Sequence, residues 1–275
     1  MPNTVTSAPR TGSSIVPWRG LVIGAGAGLL SGLFGIGGGI VIVPALLTLL
    51  SMERRLAHGT SLAATVPVAL ASLATYSVSG NVDWAVAAFL AGGAICGAIV
   101  GTHLLQIIPK KPLTIIFIVV ILLTAVRLLV SAEALGRDPL TAVGGLALIA
   151  IGFVTGTLSG LLGIGGGVIM VPAMVVLFSM PPVVAKGTSV AVIVPSAIVG
   201  TIRNRANRNV DLRIAAAIGI AGVVSAVIGS VIANSLSDSL SNSMFALLLV
   251  SVAVVQARTL RSPPTRPVGT SGVAG

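Results

Sequence analysis

Charge is scarce in this chain: 8% of its 275 residues are Asp, Glu, Lys or Arg, where a soluble domain carries about a quarter. A water-soluble protein of this length would need charged surface that is not there. Cysteine is nearly absent, and Cys96, the single one, lies within an apolar run, which excludes a disulfide framework and a cysteine-based metal site. Acidic residues number only 6, and no deep acidic pair suited to cation coupling is present. Aromatics make up 3%, and the basic loops lack rings on which bases could stack. The net charge of +10 therefore does not indicate nucleic acid.

What is present is apolar. Hydrophobic residues make up 55% of the chain and mean hydropathy is +1.09. Ser61–Ser79, Trp84–Ile108, Leu113–Val130, Thr141–Leu162, Ile214–Ser235 and Met244–Gln256 with its flanks approach or reach the roughly 20 residues that cross a bilayer. The expected fold is an all-α polytopic membrane protein. Arg203, Arg205, Arg208 and Arg213 fall between two such runs, and Arg258, Arg261 and Arg266 follow the last, the placement of the positive-inside rule. Trp18 and Trp84 open segments as interfacial aromatics do. Met1–Pro17 is polar and lacks the pattern of a cleaved signal peptide.

The chain is also duplicated. SGLFGIGGGIVIVP, Ser31–Pro44, returns as SGLLGIGGGVIMVP, Ser159–Pro172, an offset of 128 residues. The register then holds through Gly59-Thr60-Ser61 with Gly187-Thr188-Ser189, Pro67 with Pro195, and Asn81-Val82-Asp83 with Asn209-Val210-Asp211. Such self-similarity marks a repeat architecture. Each half reads as about four hydrophobic helical segments, giving about eight spans with a range of seven to ten. The units are Gly20–Leu50, Gly59–Ser79, Asp83–Ile107 and Pro112–Val130, then Leu140–Phe178, Gly187–Ile202, Asp211–Ser235 and Leu240–Thr259. The expected organisation is a disordered cytoplasmic N-terminus at 1–18, repeat 1 at 19–131, repeat 2 at 139–260 and a disordered tail at 261–275. Pro109-Lys110-Lys111-Pro112 and Gly136-Arg137-Asp138-Pro139 are loop signals.

The first unit of each half is too long for one straight span and is broken near its middle by Gly35-Ile36-Gly37-Gly38-Gly39 or Gly163-Ile164-Gly165-Gly166-Gly167, since each glycine disfavours helix by about 1 kcal/mol relative to Ala. Two readings stay open: a long helix unwound at its centre, or a hairpin of two shorter helices. A single crossing makes the repeats parallel and places eleven of the 16 basic residues on the side of the termini; a hairpin makes them inverted and places thirteen there. Both readings put the two termini in the cytoplasm.

Paired breaks within apolar segments are the best sequence pointer to a transport site. Backbone at such a break must be buried in protein or line a watery cavity, and the helix resuming at about Ile40 or Val168 presents free N–H groups and a positive dipole end to an anion. Small residues also serve close helix packing, the simpler explanation for one such cluster alone. The candidate substrate-binding residues are Gly35, Gly37, Gly38, Gly39, Thr60 and Ser61 with Gly163, Gly165, Gly166, Gly167, Thr188 and Ser189. Thr60-Ser61 and Thr188-Ser189 stand near the starts of their spans, where capping competes with ligand contact. Pro67 and Pro195 predict kinks. Asp83 and Asp211 suit helix N-termini and are weaker candidates for a proton relay. His103 and Arg127 are ionisable groups within spans, candidates by default, but their counterparts are Val231 and Val255.

Enzyme signatures fail on context. No Gly-Lys-Ser/Thr follows GIGGG as a phosphate loop requires, and Ile40 stands where a dinucleotide fingerprint needs its third glycine. Ser31-Gly32 and Ser159-Gly160 resemble intramembrane serine proteases, yet His58 and His103 offer no matched pair for the two copies. No catalytic residue, metal site or cofactor is expected.

The paired GLFGIGGGIVIVPALL and GLLGIGGGVIMVPAMV, each followed by GTS and then by Asn-Val-Asp at the next span, resemble the sulfite exporter TauE/SafE family of membrane transporters. The resemblance covers Gly20–Thr259. It implies a multi-pass permease of the bacterial inner membrane for small sulfur-containing anions such as sulfite or sulfonates, commonly in the export direction. What transfers by position is the motif: Gly35, Gly37, Gly38, Gly39 and Pro44, with Gly163, Gly165, Gly166, Gly167 and Pro172. The expected activity is secondary transport of such an anion between two pseudo-symmetric helix breaks. An anion channel and a non-transporting membrane partner or assembly protein are the alternatives. The partners expected are the small anion and the lipid bilayer, and a homo-oligomer is left open.

Overall fold

Lipid offers no partner to a backbone N–H or C=O, so an apolar chain must close its hydrogen bonds within itself. Helix is how this chain does so. The computed structural model describes residues 16–104, 115, 118, 119, 121, 122, 125, 126, 141–163 and 165–261. Among them run α1 (Val16–Phe34), α2 (Gly39–Leu49), α3 (Arg54–Val78), α4 (Trp84–Leu104), α5 (Ala142–Leu162), α6 (Gly167–Leu177), α7 (Pro182–Ala206), α8 (Leu212–Ser235) and α9 (Asp238–Arg261). No strand occurs among the described residues.

Five helices, α3, α4, α5, α7 and α8, are long and apolar enough to cross a membrane. The stretches Trp18–Phe34, Gly39–Leu49, Gly167–Leu177 and Ser239–Val255 are apolar but shorter, so the eight expected spans are met in part. The expected span Leu113–Val130 falls mostly outside the described residues, and its seven described positions are helical. The two loop signals, Arg127 and most of both expected tails also lie outside them.

Each broken segment is a hairpin. The Arg19 guanidinium near the start of α1 donates to the Leu49 carbonyl at the end of α2, at 3.0 Å. A β-carbon on Gly38 would stand 2.9 Å from the Ala27 carbonyl, so α2 runs back along α1. The second half repeats the turn: a β-carbon on Gly166 would lie 3.4 Å from the Thr155 carbonyl, and one on Gly144 would lie 3.7 Å from the Phe178 ring.

The halves are exchanged around this turn. Gly20, Gly24, Gly28 and Gly32 on one stripe of α1 face Ala217, Ile218, Gly222 and Ala226 of α8, in rising order on both. The helices are therefore parallel, their backbones brought close by small residues. Gly93, Gly97 and Gly101 of α4 face Ile149, Phe153 and Thr157 of α5 in the same way. α8 thus starts on the face where α1 starts. With α2 folded back, α3 leaves that N-terminal face and α4 returns to it, so α5, parallel to α4, starts on the opposite face. The two halves enter from opposite sides, an inverted repeat with its pseudo-two-fold axis in the membrane plane.

α3 and α7 pack on each other at the centre, and Pro67 and Pro195 lie inside them. Outward positions such as Val22, Leu70, Val143, Leu146, Val224 and Leu247 are exposed and apolar, as a lipid-facing surface requires. Trp18 and Trp84 are 58% and 59% exposed, one near each face.

Candidate functional site

Three glycines of each break adopt left-handed backbone: Gly35, Gly37 and Gly38 at φ 67°, 77° and 73°, and Gly163, Gly165 and Gly166 at 65°, 90° and 74°. Such values are strained for any residue with a β-carbon, which is why the turn is written in glycine twice. Helix resumes at Gly39 and Gly167, one residue before Ile40 and Val168, because the left-handed Gly38 and Gly166 serve as N-caps. Neither cap offers a side-chain hydrogen bond. In the first turns of α2 and α6 the Val41 and Ile169 amides donate to the Gly38 and Gly166 carbonyls and the Gly167 amide to Gly165; the Gly39, Ile40 and Val168 amides precede the first helical bond, and all stand at the positive end of the helix dipole.

The two breaks meet. A β-carbon on Gly165 would lie 2.9 Å from the Ile36 carbonyl, and one on Gly167 would lie 2.7 Å from the Ile36 α-carbon. Cross-bonds tie each break to the other half: Ser189 Oγ donates to the Gly35 carbonyl at 2.9 Å, and Ser61 Oγ donates to the Gly163 carbonyl at 3.0 Å. Residues 35–39, 163 and 165–167 are buried.

The Gly-Thr-Ser segments lie inside helices, not at their starts. α3 and α7 begin five residues earlier than Gly59 and Gly187, at Arg54 and Pro182; Arg54 and Arg55 are exposed, whereas Pro182 is buried. Thr60 and Thr188 consequently cap no helix of their own. Thr60 Oγ1 accepts from the Asp211 amide and Thr188 Oγ1 from the Asp83 amide, each at 2.9 Å. The two Asp carboxylates in turn cap α8 and α4: Asp211 accepts from Arg213 and Ile214, and Asp83 from Val86. The twelve candidate residues thus converge on one core, with glycines at its centre and hydroxyls fastening the halves.

Sequence reasoning missed the residues directly before Gly-Thr-Ser. Lys186 and His58 occupy the same place in the two halves and are 1% and 8% exposed. The Lys186 carbonyl would meet a β-carbon on Gly35 at 2.6 Å, and the His58 carbonyl one on Gly163 at 3.0 Å. The Lys186 ammonium donates to Ser241 Oγ of α9 and stands 5.6 Å from the Phe34 ring centroid. Phe34 stacks on Phe245 of α9 at 5.5 Å. The available signal is a basic residue at one register position of both repeats, obscured because that position reads as loop before a span.

His103 stands apart from the breaks. It lines a cavity of about 410 Å³ with Thr102, Arg203 and Asn207, where α4 and α7 end. A second cavity of about 400 Å³ opens between Phe89 and the start of α5. Neither has a break residue among its lining.

The chain is similar to known membrane transporter proteins. The family model described as Sulfite exporter TauE/SafE matches residues 3–128 and 148–275. A protein of Bacillus subtilis named "Probable membrane transporter protein YunE" is 31% identical over 72% of this chain and 81% of its own length. A "Probable membrane transporter protein" of Xylella fastidiosa is 28% identical over 74% of this chain and 80% of its own. Another so named from Haemophilus influenzae is 34% identical over 55% and 60%. No solved structure matches the chain.

Proposed function

The chain belongs to the sulfite exporter TauE/SafE family of membrane transporters, and we propose that it is a secondary transporter of small sulfur-containing oxyanions, working as an exporter. One observation carries this reading. Two uncapped helix N-termini, supplied by halves that enter from opposite faces, converge on a single buried centre. Unpaired amides at a helix N-terminus are a ready anion site, and inverted halves around such a site are the arrangement from which alternating access is built.

Transport is favoured over a channel because the breaks are packed against each other and buried, as in an occluded step between two open ones. The sulfur anion comes from the family description and agrees with a site made of amides and hydroxyls. Arg19, Arg54, Arg55, Arg203, Arg205, Arg208 and Arg213 belong to the helix ends and the turn on the N-terminal face. By the positive-inside rule that face is cytoplasmic in this reading, in a bacterial plasma membrane.

The test is uptake of labelled sulfite into proteoliposomes with and without a pH gradient. Saturable, gradient-coupled flux is expected, lost in Gly38→Leu and Gly166→Leu, whose side chains cannot follow the left-handed turn. Flux unchanged in both variants would sink the site assignment, and gradient-independent, non-saturating flux would favour a channel.

A further inference from the structure

The cavity of about 410 Å³ where α4 and α7 end differs from the matching joint on the other side of the molecule. α4 belongs to repeat 1 and α7 to repeat 2, and they pack together. Both end on the N-terminal face, where α8 starts. His103 of α4 and Arg203 of α7 line the cavity together with Asn207. Among the described residues no carboxylate lines it, and Asp211, in the turn after α7, is engaged in capping α8.

The matching joint lies on the opposite face, where α3 and α8 end. Val231, Thr75 and Ser79 stand there in the places of His103, Arg203 and Asn207, and none is charged. Side chains bridge that joint: Asn234 Nδ2 donates to Ser79 Oγ at 2.8 Å, and Asn81 Nδ2 donates to Asn234 Oδ1 at 3.0 Å. A basic residue in the last turn of a helix complements the dipole. That simpler reading accounts for a cation at each helix end, but not for a hollow between them.

The lining names the occupant. A guanidinium presents a planar fork of donors that matches phosphate, an imidazole offers at least one N–H in either protonation state, and the Asn207 amide adds further donors. Arg205, Arg208 and Arg213 follow on the same face and strengthen the pull on an anion. The cavity has the volume of a small-molecule site, about 300–1,000 Å³. One wall is hydrocarbon: Ile202, which lines the cavity, is 63% exposed, and Ile198, one turn deeper on α7, is exposed too. A phosphate head joined to an apolar tail fits this arrangement.

We propose that the cavity binds the headgroup of an anionic phospholipid, with its phosphodiester on Arg203 and His103 and an acyl chain along Ile202 and Ile198. Basic pockets between spanning helices at the membrane surface are lipid sites of this kind. A zwitterionic headgroup would bring an amine that meets no carboxylate in the lining. The lipid would join the two halves on the N-terminal face, as Asn81, Asn234 and Ser79 join them on the other. This inference does not depend on the transport reading.

The experiment titrates the purified full-length protein, in neutral detergent, with phosphatidylglycerol, phosphatidylcholine or inorganic phosphate. Thermal melting and native mass spectrometry read the binding. Phosphatidylglycerol is expected to stabilise the wild type at concentrations at least about tenfold below those needed of phosphatidylcholine. The double variant Arg203→Gln with His103→Gln is expected to raise the phosphatidylglycerol Kd about tenfold or more, the effect of losing hydrogen bonds to a charged group. Ala206→Phe keeps both basic residues and fills the cavity from α7, and a similar rise is expected, which keeps the test open if the double variant fails to fold. Arg213→Gln, on the same face but outside the lining, is expected to stay within about threefold of wild type. Equal stabilisation by the two lipids overturns the site, as does an unaltered Kd in the cavity variants or an equal rise in Arg213→Gln. Inorganic phosphate acting as strongly as phosphatidylglycerol would make this a free-anion site and overturn the lipid.

Discussion

The two halves share one glycine turn, one Gly-Thr-Ser and one Asn-Val-Asp, and they differ in the residues set around those elements. Where repeat 1 has His58, Thr65 and Tyr76, repeat 2 has Lys186, Ile193 and Asn204. The shared residues carry backbone geometry and the fastening between halves, which both copies need identically. The differing ones carry charge and polarity. Tyr76 donates to the Gly32 carbonyl of α1 at 2.6 Å, whereas Asn204 bonds within its own helix to Gly200. A duplicated frame can thus be symmetric in shape and one-sided in chemistry, and this molecule is both.

The strongest way to break the symmetric part is to add a β-carbon at the turn. Gly35→Ala and Gly163→Ala each force a side chain into left-handed backbone against buried main chain of the other half. Each is expected to cost about 3 kcal/mol or more and to abolish flux, seen as loss of the folded peak in size-exclusion chromatography. A large difference between the two would show that the breaks are not equivalent.

Lys186→Met and His58→Met sharpen the asymmetric part. The Lys186 ammonium is deeply buried and engages α9 through Ser241 and the Phe34–Phe245 stack. Its replacement is expected to lower anion flux at least about tenfold, as loss of a buried charge interaction does, with a smaller loss for His58→Met. Equal losses in counterflow would place both residues in the same role.

The cross-bonds come next. Ser61→Ala and Ser189→Ala each remove a donor to a buried carbonyl of the opposite break. Each should destabilise by about 1–2 kcal/mol, equally in the two halves, and the double variant tests additivity by thermal melting. The smallest effect belongs to the caps: Asp83→Ala and Asp211→Ala should each cost about 1 kcal/mol, again as a matched pair. A proton-relay role for either would instead appear as a loss of gradient coupling without loss of stability.

Much of the architecture is legible in the residues. The broken first segments, the helix-capping aspartates and the meeting of like residues in two copies all follow from spacing and residue type. The starts of α3 and α7 are not legible. Arg54–His58 and Pro182–Lys186 read as loop because they contain charge or proline, yet both run as helix, with Ala57, His58, Ala185 and Lys186 buried. Lys186 escapes notice for the same reason: a lysine before a span is ordinarily a surface residue.

Composition alone determined that the chain lives in lipid, since there is too little charge to cover a soluble surface. Repetition alone determined that it has two halves, each with a backbone that must turn at its glycines, because no other residue tolerates three left-handed positions in four. Whether the turn passes through or folds back was decided by the tertiary structure. Loop charges differ by too few residues to settle it, whereas Arg19 reaching Leu49 does. The exchange of α1 onto α8 and α5 onto α4 was decided there too, because stripes of small residues advertise close packing without naming the partner.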